Sequence, residues 1–226
     1  MTIIATDISL ANAIYQRRSI RGFTDQAIPE ETLAKIFQLA QQSPSNCNIQ
    51  PWKVVVVSGE RKDQIKEKLI HLVKTAPQNS DYPNLPKLHD EYRARQVECA
   101  SELYSRMGVA RNDKDGRTRV ALKNYDFFDA PHALFTFVPK SFGGYALLDV
   151  GMYLQTLMLS MTAFGVGSCA QGSLTYYPDA VREEFGIDSS FGLICGMSFG
   201  YEKTDEAANK VHLGRADVTE NVTFLS

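Results

Sequence analysis

Apolar residues recur at helical spacing over the first forty positions. Ile8, Ala11, Ile14 and Tyr15 share one face of a short helix that Asp7 can cap and that ends near Arg17. Pro29, Glu30 and Glu31 make a helix start, with proline at the first position and acids against the dipole, and Leu33, Ile36, Phe37 and Ala40 continue the period. A loop follows over Ser43 to Asn48, and the β-branched run Val54-Val55-Val56-Val57 after Lys53 predicts a buried strand. The pattern then predicts a helix from about Glu60 to Lys74, a proline-broken stretch over 76–85, an amphipathic helix over 88–107 and a charged loop over 111–119. Ala133 to Val138 is a second strand, Ala146 to Phe164 a helix apolar on most faces, and Gly165 its stop. Pro178 opens a short helix that Gly186 closes, and Gly192 to Phe199 is a third strand. From Tyr201 onward no period survives until the strand-forming Asn221-Val222-Thr223-Phe224.

Three or four strands interleaved with helices, without a repeat or a dividing linker, predict one α+β domain over residues 1–226, a central mixed sheet flanked by helices. The tail, residues 201–226, is too polar to fill a core of its own, so it reads as an arm extending onto the partner subunit of a homodimer. Composition adds limits. With 226 residues, 44% hydrophobic and 22% charged, the chain suits one globular core. A net charge of -2 argues against a nucleic-acid partner, which would call for a basic excess. The start carries no basic segment followed by an apolar one, and Cys47, Cys99, Cys169 and Cys195 are scattered without a CxxC pair, so reduced thiols in the cytoplasm are expected. Asp149, Gln155, Thr156, Ser160 and Thr162 interrupt the apolar run over 146–164, which favours a buried helix in a core or dimer interface over a membrane span.

Two clusters carry candidate chemistry. Arg17-Arg18-Ser19-Ile20-Arg21 follows the first helix; guanidinium forks supply the charge and geometry that a phosphate monoester requires, and a solvated basic turn is the plainer alternative. Ser43-Pro44-Ser45-Asn46-Cys47-Asn48-Ile49-Gln50-Pro51-Trp52 gathers carboxamides, hydroxyls and open backbone between a helix and a strand. Such groups can hydrogen-bond a heterocycle with alternating donors and acceptors, or form only an Asx-rich connection anchored by Trp52.

Together RRSIRGF and SPSNCNIQPWKVVVV, with the later AQGSLTYYPDAVREEFGI, FGLICGMSFGYE and GRADVTENVTF, resemble the nitroreductase family in order, spacing and flanking elements. The resemblance covers nearly the whole chain outside about 76–125. It implies a nitroreductase-like fold, a bound FMN, NAD(P)H as co-substrate and a homodimer with shared sites. Arg17, Arg18 and Ser19 would hold the phosphate and ribityl chain, and Arg215 would return to the phosphate. Arg21 would lie near N1 and the C2 carbonyl, where charge gathers on reduction. Pro44, Ser45, Asn46 and Asn48 would reach the cofactor of the other subunit, and the backbone of Gln171 and Gly172 would meet N5 and O4. Many relatives carry Pro or Glu where this chain has Cys169 and Gln171, and a small or apolar residue and proline where it has Ala216-Asp217.

The chemistry so implied is hydride transfer from NAD(P)H to a nitroaromatic or quinone-like acceptor, the two taking turns in one pocket with ping-pong kinetics and no catalytic side chain. Oxidase, dehalogenase and flavin-fragmenting members of the family stay open as alternatives, as does a flavin-binding dimer without turnover. Residues 76–125 depart most from the shared pattern and are expected to face the substrate, a small aromatic acceptor. They bring Tyr82, Tyr92, Tyr104 and Tyr125, and between Lys87 and Lys123 nine Lys/Arg against six Asp/Glu, which suits an aromatic carboxylate or merely a solvated surface. Gly196-Met197-Ser198-Phe199-Gly200 fits a GxSxG elbow with Asp205 and His212 after it, which keeps a serine hydrolase with Ser198 as nucleophile as a further alternative, but no apolar helix follows the serine. His71, His89, His132 and His212 lie too far apart to suggest a metal site, and 165–172 has the wrong glycine interval for a dinucleotide crevice.

Overall fold

The computed structural model describes residues 8–83 and 85–226. Two helices lead in, α1 (Leu10–Gln16) and α2 (Glu30–Ala40), followed by β1 (Lys53–Ser58) and α3 (Gly59–Thr75). An excursion carries α4 (Asp90–Arg106) and α5 (Lys114–Leu122), and then come β2 (His132–Pro139), α6 (Gly143–Ala163) and β3 (Gly167–Gln171). The chain ends with α7 (Pro178–Phe185), β4 (Phe191–Gly200) and the single turn α8 (Val218–Asn221). The strands form one sheet in the order β1-β2-β4-β3. All three ladders are antiparallel; the parallel component of the expected mixed sheet is confined to an isolated bridge between Ser19 and Ser168.

Alternation along β2 explains why the sheet is buried on both sides. Ala133, Phe135 and Phe137 face a cluster with Ile65 and Leu69 of α3, Leu174 and Val181. Leu134 and Val138 face the opposite cluster with Val150, Tyr153, Leu157 and Met161 of α6 and Ile36 and Ala40 of α2. The segment Lys140–Ala163 is long and apolar enough to cross a membrane by length and composition, at a mean hydropathy of 1.2. Here it serves as the core helix of the second layer. One of its faces is buried in the core, while Leu148 at 62% and Tyr145 at 74% exposed lie open in the single chain.

Four expectations need correction. Asp7 lies outside the described residues; Ser9 is the cap of α1, its side chain accepting from the Asn12 amide at 3.2 Å. Pro29 sits at the cap of α2, one place before its first helical residue. The charged stretch 111–119 is not all loop, because Asp113 caps α5 by accepting from the Gly116 amide at 2.8 Å. Glycine masks that helix in the sequence, yet a Cβ at 116 would fall 2.2 Å from the Asp113 carboxylate. Asn221 to Phe224 forms no strand: Asp217 and Glu220 build a capping box that turns the chain into α8, and 222–226 follow without a ladder. The GSCAQ sequence of β3 has little β-propensity and does not predict a strand.

One buried histidine links the layers. His132 Nε2 accepts the Ile28 amide at 3.0 Å, so Nδ1 carries the proton and donates to Ser58 Oγ at 2.5 Å. Burial, with Lys62 nearby, holds this imidazole below its ordinary value. A base depressed in the fold contributes stability that is fully present above its unfolded value of about 6.5 and is lost as pH falls below it. The melting temperature is therefore expected to fall as pH drops below about 6.5, and His132→Gln should flatten that part of the profile. An unchanged slope in the variant would refute the assignment.

Candidate functional site

The site begins where the chain leaves α1. Ser19 bridges Ser168, and the Ile20 amide donates to the Ser168 carbonyl at 3.0 Å, so Arg17 to Arg21 is drawn along β3. Gly167 permits that approach, since a Cβ there would sit 2.7 Å from Ile20 Cγ1. On the other side the tail is fastened by Asn209, which is 1% exposed. Its Oδ1 accepts the Arg21 amide at 2.6 Å, and its Nδ2 donates to the carbonyls of Gly22 at 2.8 Å and Lys203 at 2.9 Å. Sequence reading missed Asn209; a single asparagine in an aperiodic polar tail carries no signal of burial.

Between these segments lies an open cleft of about 720 Å³. Its walls include Tyr15, Arg17, Arg18, Ser19, Arg21 and Gln155, with Val211 to Arg215 opposite. The cluster at 17–21 and Arg215 are thus brought together from opposite ends of the chain. Arg18 is already engaged: Nη2 pairs with Glu202 Oε1 at 2.5 Å and Nη1 donates to the Asn209 carbonyl at 2.7 Å. Among the described residues Arg17, Arg21 and Arg215 have no carboxylate within ion-pair distance; Arg215 only contacts the Leu213 and Gly214 carbonyls, at 3.1 and 2.9 Å. Three uncompensated guanidinium groups around one cleft make a site for an anion. The buried Cys169 thiol reports the same convergence: burial pushes it up, against Arg21, Ser19 and Arg17, which favour its thiolate.

The loop from Ser43 is not in that cleft. Pro44 borders a separate groove of about 570 Å³ with Leu147, Leu148, Gly151, Met152 and Thr156, and Gln155 lines both. The Asp149 carboxylate accepts the Asn46 amide at 3.1 Å, and Ser45 Oγ accepts the Gln50 amide at 2.9 Å. Asn48 Oδ1 accepts from the Gln50 side chain at 3.2 Å. Cys47, Asn48 and Gln50 take positive φ values of 48°, 58° and 45°, a run of left-handed non-glycine residues of the sort that collects at ligand sites. Trp52 anchors the loop, stacked on Tyr153 at 4.8 Å with its indole donating to Gln41.

At the end of β3 the Gln171 side chain turns inward, donating to the Asn124 carbonyl at 2.8 Å and accepting from Ser198 Oγ. Gly172 is exposed, with open space above it. Ser198 lies within β4, fully buried and paired with Ala133 and Cys169, so it has none of the strand-to-helix geometry of a nucleophile elbow. In the excursion Tyr125 is buried and its phenol is pushed up to about 12 by desolvation, with Tyr177 and Tyr176 adding to the rise, so it belongs to the core. Tyr92 is exposed and Tyr104 lies under Arg117. Much of the basic excess is paired, Arg95 with Glu220, Arg106 with Glu102 and Lys123 with Asp126 and Asp129.

Sheet order, helical layers and the guanidinium cleft define an α+β protein with an arginine-lined cleft at one edge of its sheet. The chain belongs to the nitroreductase family, whose model matches residues 14–201. Over 209 residues it is 37% identical to nitroreductase NfnB of Mycolicibacterium smegmatis, covering 92% of this chain and 89% of that protein. Over 214 residues it is 34% identical to a 4-nitrobenzoate reductase of a Nocardioides species, covering 92% and 87%. Among solved structures, the FMN and NADPH-dependent nitroreductase NfnB from Sphigopyxis sp. strain HMH superposes with a TM-score of 0.94 at 32% identity, over 97% of this chain and 100% of that one. The FMN-dependent NfnB from Mycobacterium smegmatis, solved in complex with NADPH, gives 0.91 at 36% identity, over 96% and 100%.

Proposed function

We propose that the protein is an FMN-dependent oxidoreductase that passes hydride from NAD(P)H to nitroaromatic or quinone-like acceptors. The carrying observation is the cleft, whose free guanidinium groups at Arg17, Arg21 and Arg215 suit a phosphate monoester and whose volume of about 720 Å³ lies in the range of small-molecule sites. The FMN- and NADPH-dependent relatives support the same assignment. Arg17, Ser19 and Arg215 hold the phosphate end, while Arg18, committed to Glu202, stiffens the segment and adds charge at the rim. Arg21 would set a fixed cation beside the ring edge that becomes negative on reduction. The backbone of Gln171 and Gly172 would meet the reactive edge. When bound, FMN supplies the two-electron carrier that neither substrate nor side chain provides.

The site is completed by a second copy. The Pro44 groove and the arginine cleft meet at Gln155, and exposed apolar side chains line them: Leu148 is 62% and Tyr15 87% exposed. In the homodimer, Pro44, Ser45, Asn46 and Asn48 of the partner subunit would reach the cofactor; of the arm expected over 201–226, Glu202, Asn209 and Glu220 bind residues of their own chain, which leaves 222–226 as the part that would extend onto the partner. The excursion over 76–125 borders the acceptor, with Tyr92 as its exposed ring and Tyr104 lying under Arg117; the paired state of Arg95 and Arg106 gives no particular support to an anionic preference. Four free cysteines suit the reducing cytoplasm.

Purified protein is expected to be yellow, to bleach with NADPH or NADH without oxygen and to regain colour on adding a nitroarene. Because donor and acceptor use one pocket in turn, double-reciprocal plots should be parallel. Protein that stays colourless after incubation with FMN would sink the assignment.

A further inference from the structure

The Gln171 side chain is a buried amide on a mostly apolar face of the sheet. Gln171 is paired with Gly196 and Cys169 with Ser198, so all four project to the same side, and Ser198 is the diagonal neighbour of Gln171. Leu174, Phe135 and Ala133 belong to the same cluster. An amide in such surroundings is costly unless every polar atom is matched. Here each is engaged. Nε2 donates to the Asn124 carbonyl at 2.8 Å and lies 3.3 Å from Asn124 Oδ1, and Oε1 accepts from Ser198 Oγ. Asn124 in turn is fixed to its own helix, its Nδ2 donating to the Ala121 carbonyl at 3.1 Å. It stands where α5 hands over to three consecutive left-handed residues, Phe127, Phe128 and Asp129, that lead into β2.

We infer that the Gln171 side chain is a positioning relay: it ties the turn at the base of the 76–125 excursion to the end of β3, so the place of the acceptor-facing helices and that of the Gln171–Gly172 backbone are set together. The inference rests on the flavin assignment. The side chain does not touch the cofactor; it acts through the backbone it holds. A polar tether suits this better than an apolar contact, because its two donors and one acceptor fix one register between turn and strand. An apolar side chain of the same size would fill the space without choosing that register.

The test compares Gln171→Met, Ser198→Ala and Gln171→Glu with the unaltered protein. Readouts are the visible spectrum and midpoint potential of bound FMN, and the separate kcat and KM for a nitroarene. Gln171→Met keeps the volume and removes all three hydrogen bonds. It is expected to bind FMN, to shift spectrum and potential, and to lower kcat by about 10–100-fold, as a misplaced reacting edge would. Ser198→Ala is the milder probe should the first variant fold poorly, and its shift should be smaller and in the same direction. A neutral glutamic acid donates one hydrogen bond and accepts another, which matches Asn124 and Ser198, whereas its anion faces two acceptor oxygens at Asn124. Gln171→Glu should therefore match the unaltered spectrum at low pH and depart from it as pH rises through a carboxyl value raised by burial. The titratable side chains around the relay are Cys169 and Cys195 on the two strands, with Lys123, Tyr125 and Asp126 beside Asn124. Burial pushes both thiols up, Cys195 to about 11. Unaltered spectrum, potential and kcat in Gln171→Met or in Ser198→Ala would overturn the relay while leaving the flavin assignment intact. Failure of the unaltered protein to bind FMN would overturn both.

Discussion

Arg17→Ala is expected to weaken FMN binding by about 10–100-fold while leaving the melting temperature of the cofactor-free protein unchanged. The reason lies in how its guanidinium is employed. Arg17 faces the cleft without a carboxylate among the described residues, so its charge remains available for an anion. Losing one charged hydrogen bond to a ligand costs about 1.5–3 kcal/mol, which is the stated range in affinity. Its neighbour should behave in the opposite way. Arg18 spends both ends of its guanidinium on Glu202 and the Asn209 carbonyl, at 2.5 and 2.7 Å. Both members of the ion pair are partly exposed, at 31% and 26%, so Arg18→Ala should cost about 1 kcal/mol and lower the melting temperature by about 2–4 °C. Fluorescence titration of FMN and thermal unfolding of the apoprotein measure the two effects separately. If Arg17→Ala binds FMN as tightly as the unaltered protein, the cleft is not the phosphate site.

That pair shows what sequence could and could not say. Arg17, Arg18 and Arg21 were legible as an anion cluster because guanidinium groups after a short helix are chemically distinctive. Which of them was free could not be read, because the answer depends on Glu202 and Asn209, nearly two hundred residues away. Helices with a strong apolar period, such as α2 and α7, were found close to their observed bounds, since local caps and spacing decide them. Strand β3 escaped for the opposite reason. Gly167-Ser168-Cys169-Ala170-Gln171 is extended because β4 offers a ladder and Ile20 fills the space above Gly167, both tertiary facts. Gln171 was singled out for its backbone; the inward course of its side chain depends on Asn124 and Ser198, which only the fold brings near.

The largest loss of stability is expected from Asp81→Ala, although Asp81 lies in a proline-broken stretch with no predicted structure. Its carboxylate accepts from Arg182 Nη1 at 2.5 Å and the Leu193 amide at 2.9 Å, and Lys140 Nζ lies at 2.9 Å. Arg182 also reaches the Phe191 carbonyl and Asp179. The Asp81 and Arg182 side chains are only 7% and 6% exposed. Deleting Asp81 leaves the buried Arg182 with only the exposed Asp179 carboxylate and the Phe191 carbonyl, and losing one member of a buried pair costs about 3–5 kcal/mol. Burial alone would push the Asp81 carboxyl up; the Arg182, Leu193 and Lys140 hydrogen bonds together outweigh it and hold it below its ordinary value. A carboxyl depressed in the fold adds stability that is present above its unfolded value of about 3.9 and disappears as pH falls below that. The unaltered protein should thus lose this contribution only below about pH 4, and Asp81→Ala should lack it at neutral pH. The clip also fixes the start of the excursion, for Tyr82 lies over Gly192 where any Cβ would meet its hydroxyl at 2.5 Å. Denaturant unfolding at pH 7 should show Asp81→Ala displaced far more than Asp179→Ala, whose carboxylate is 75% exposed. Equal, small displacements for the two would mean that the buried pair contributes little and that packing of Tyr82 alone holds the excursion to the sheet.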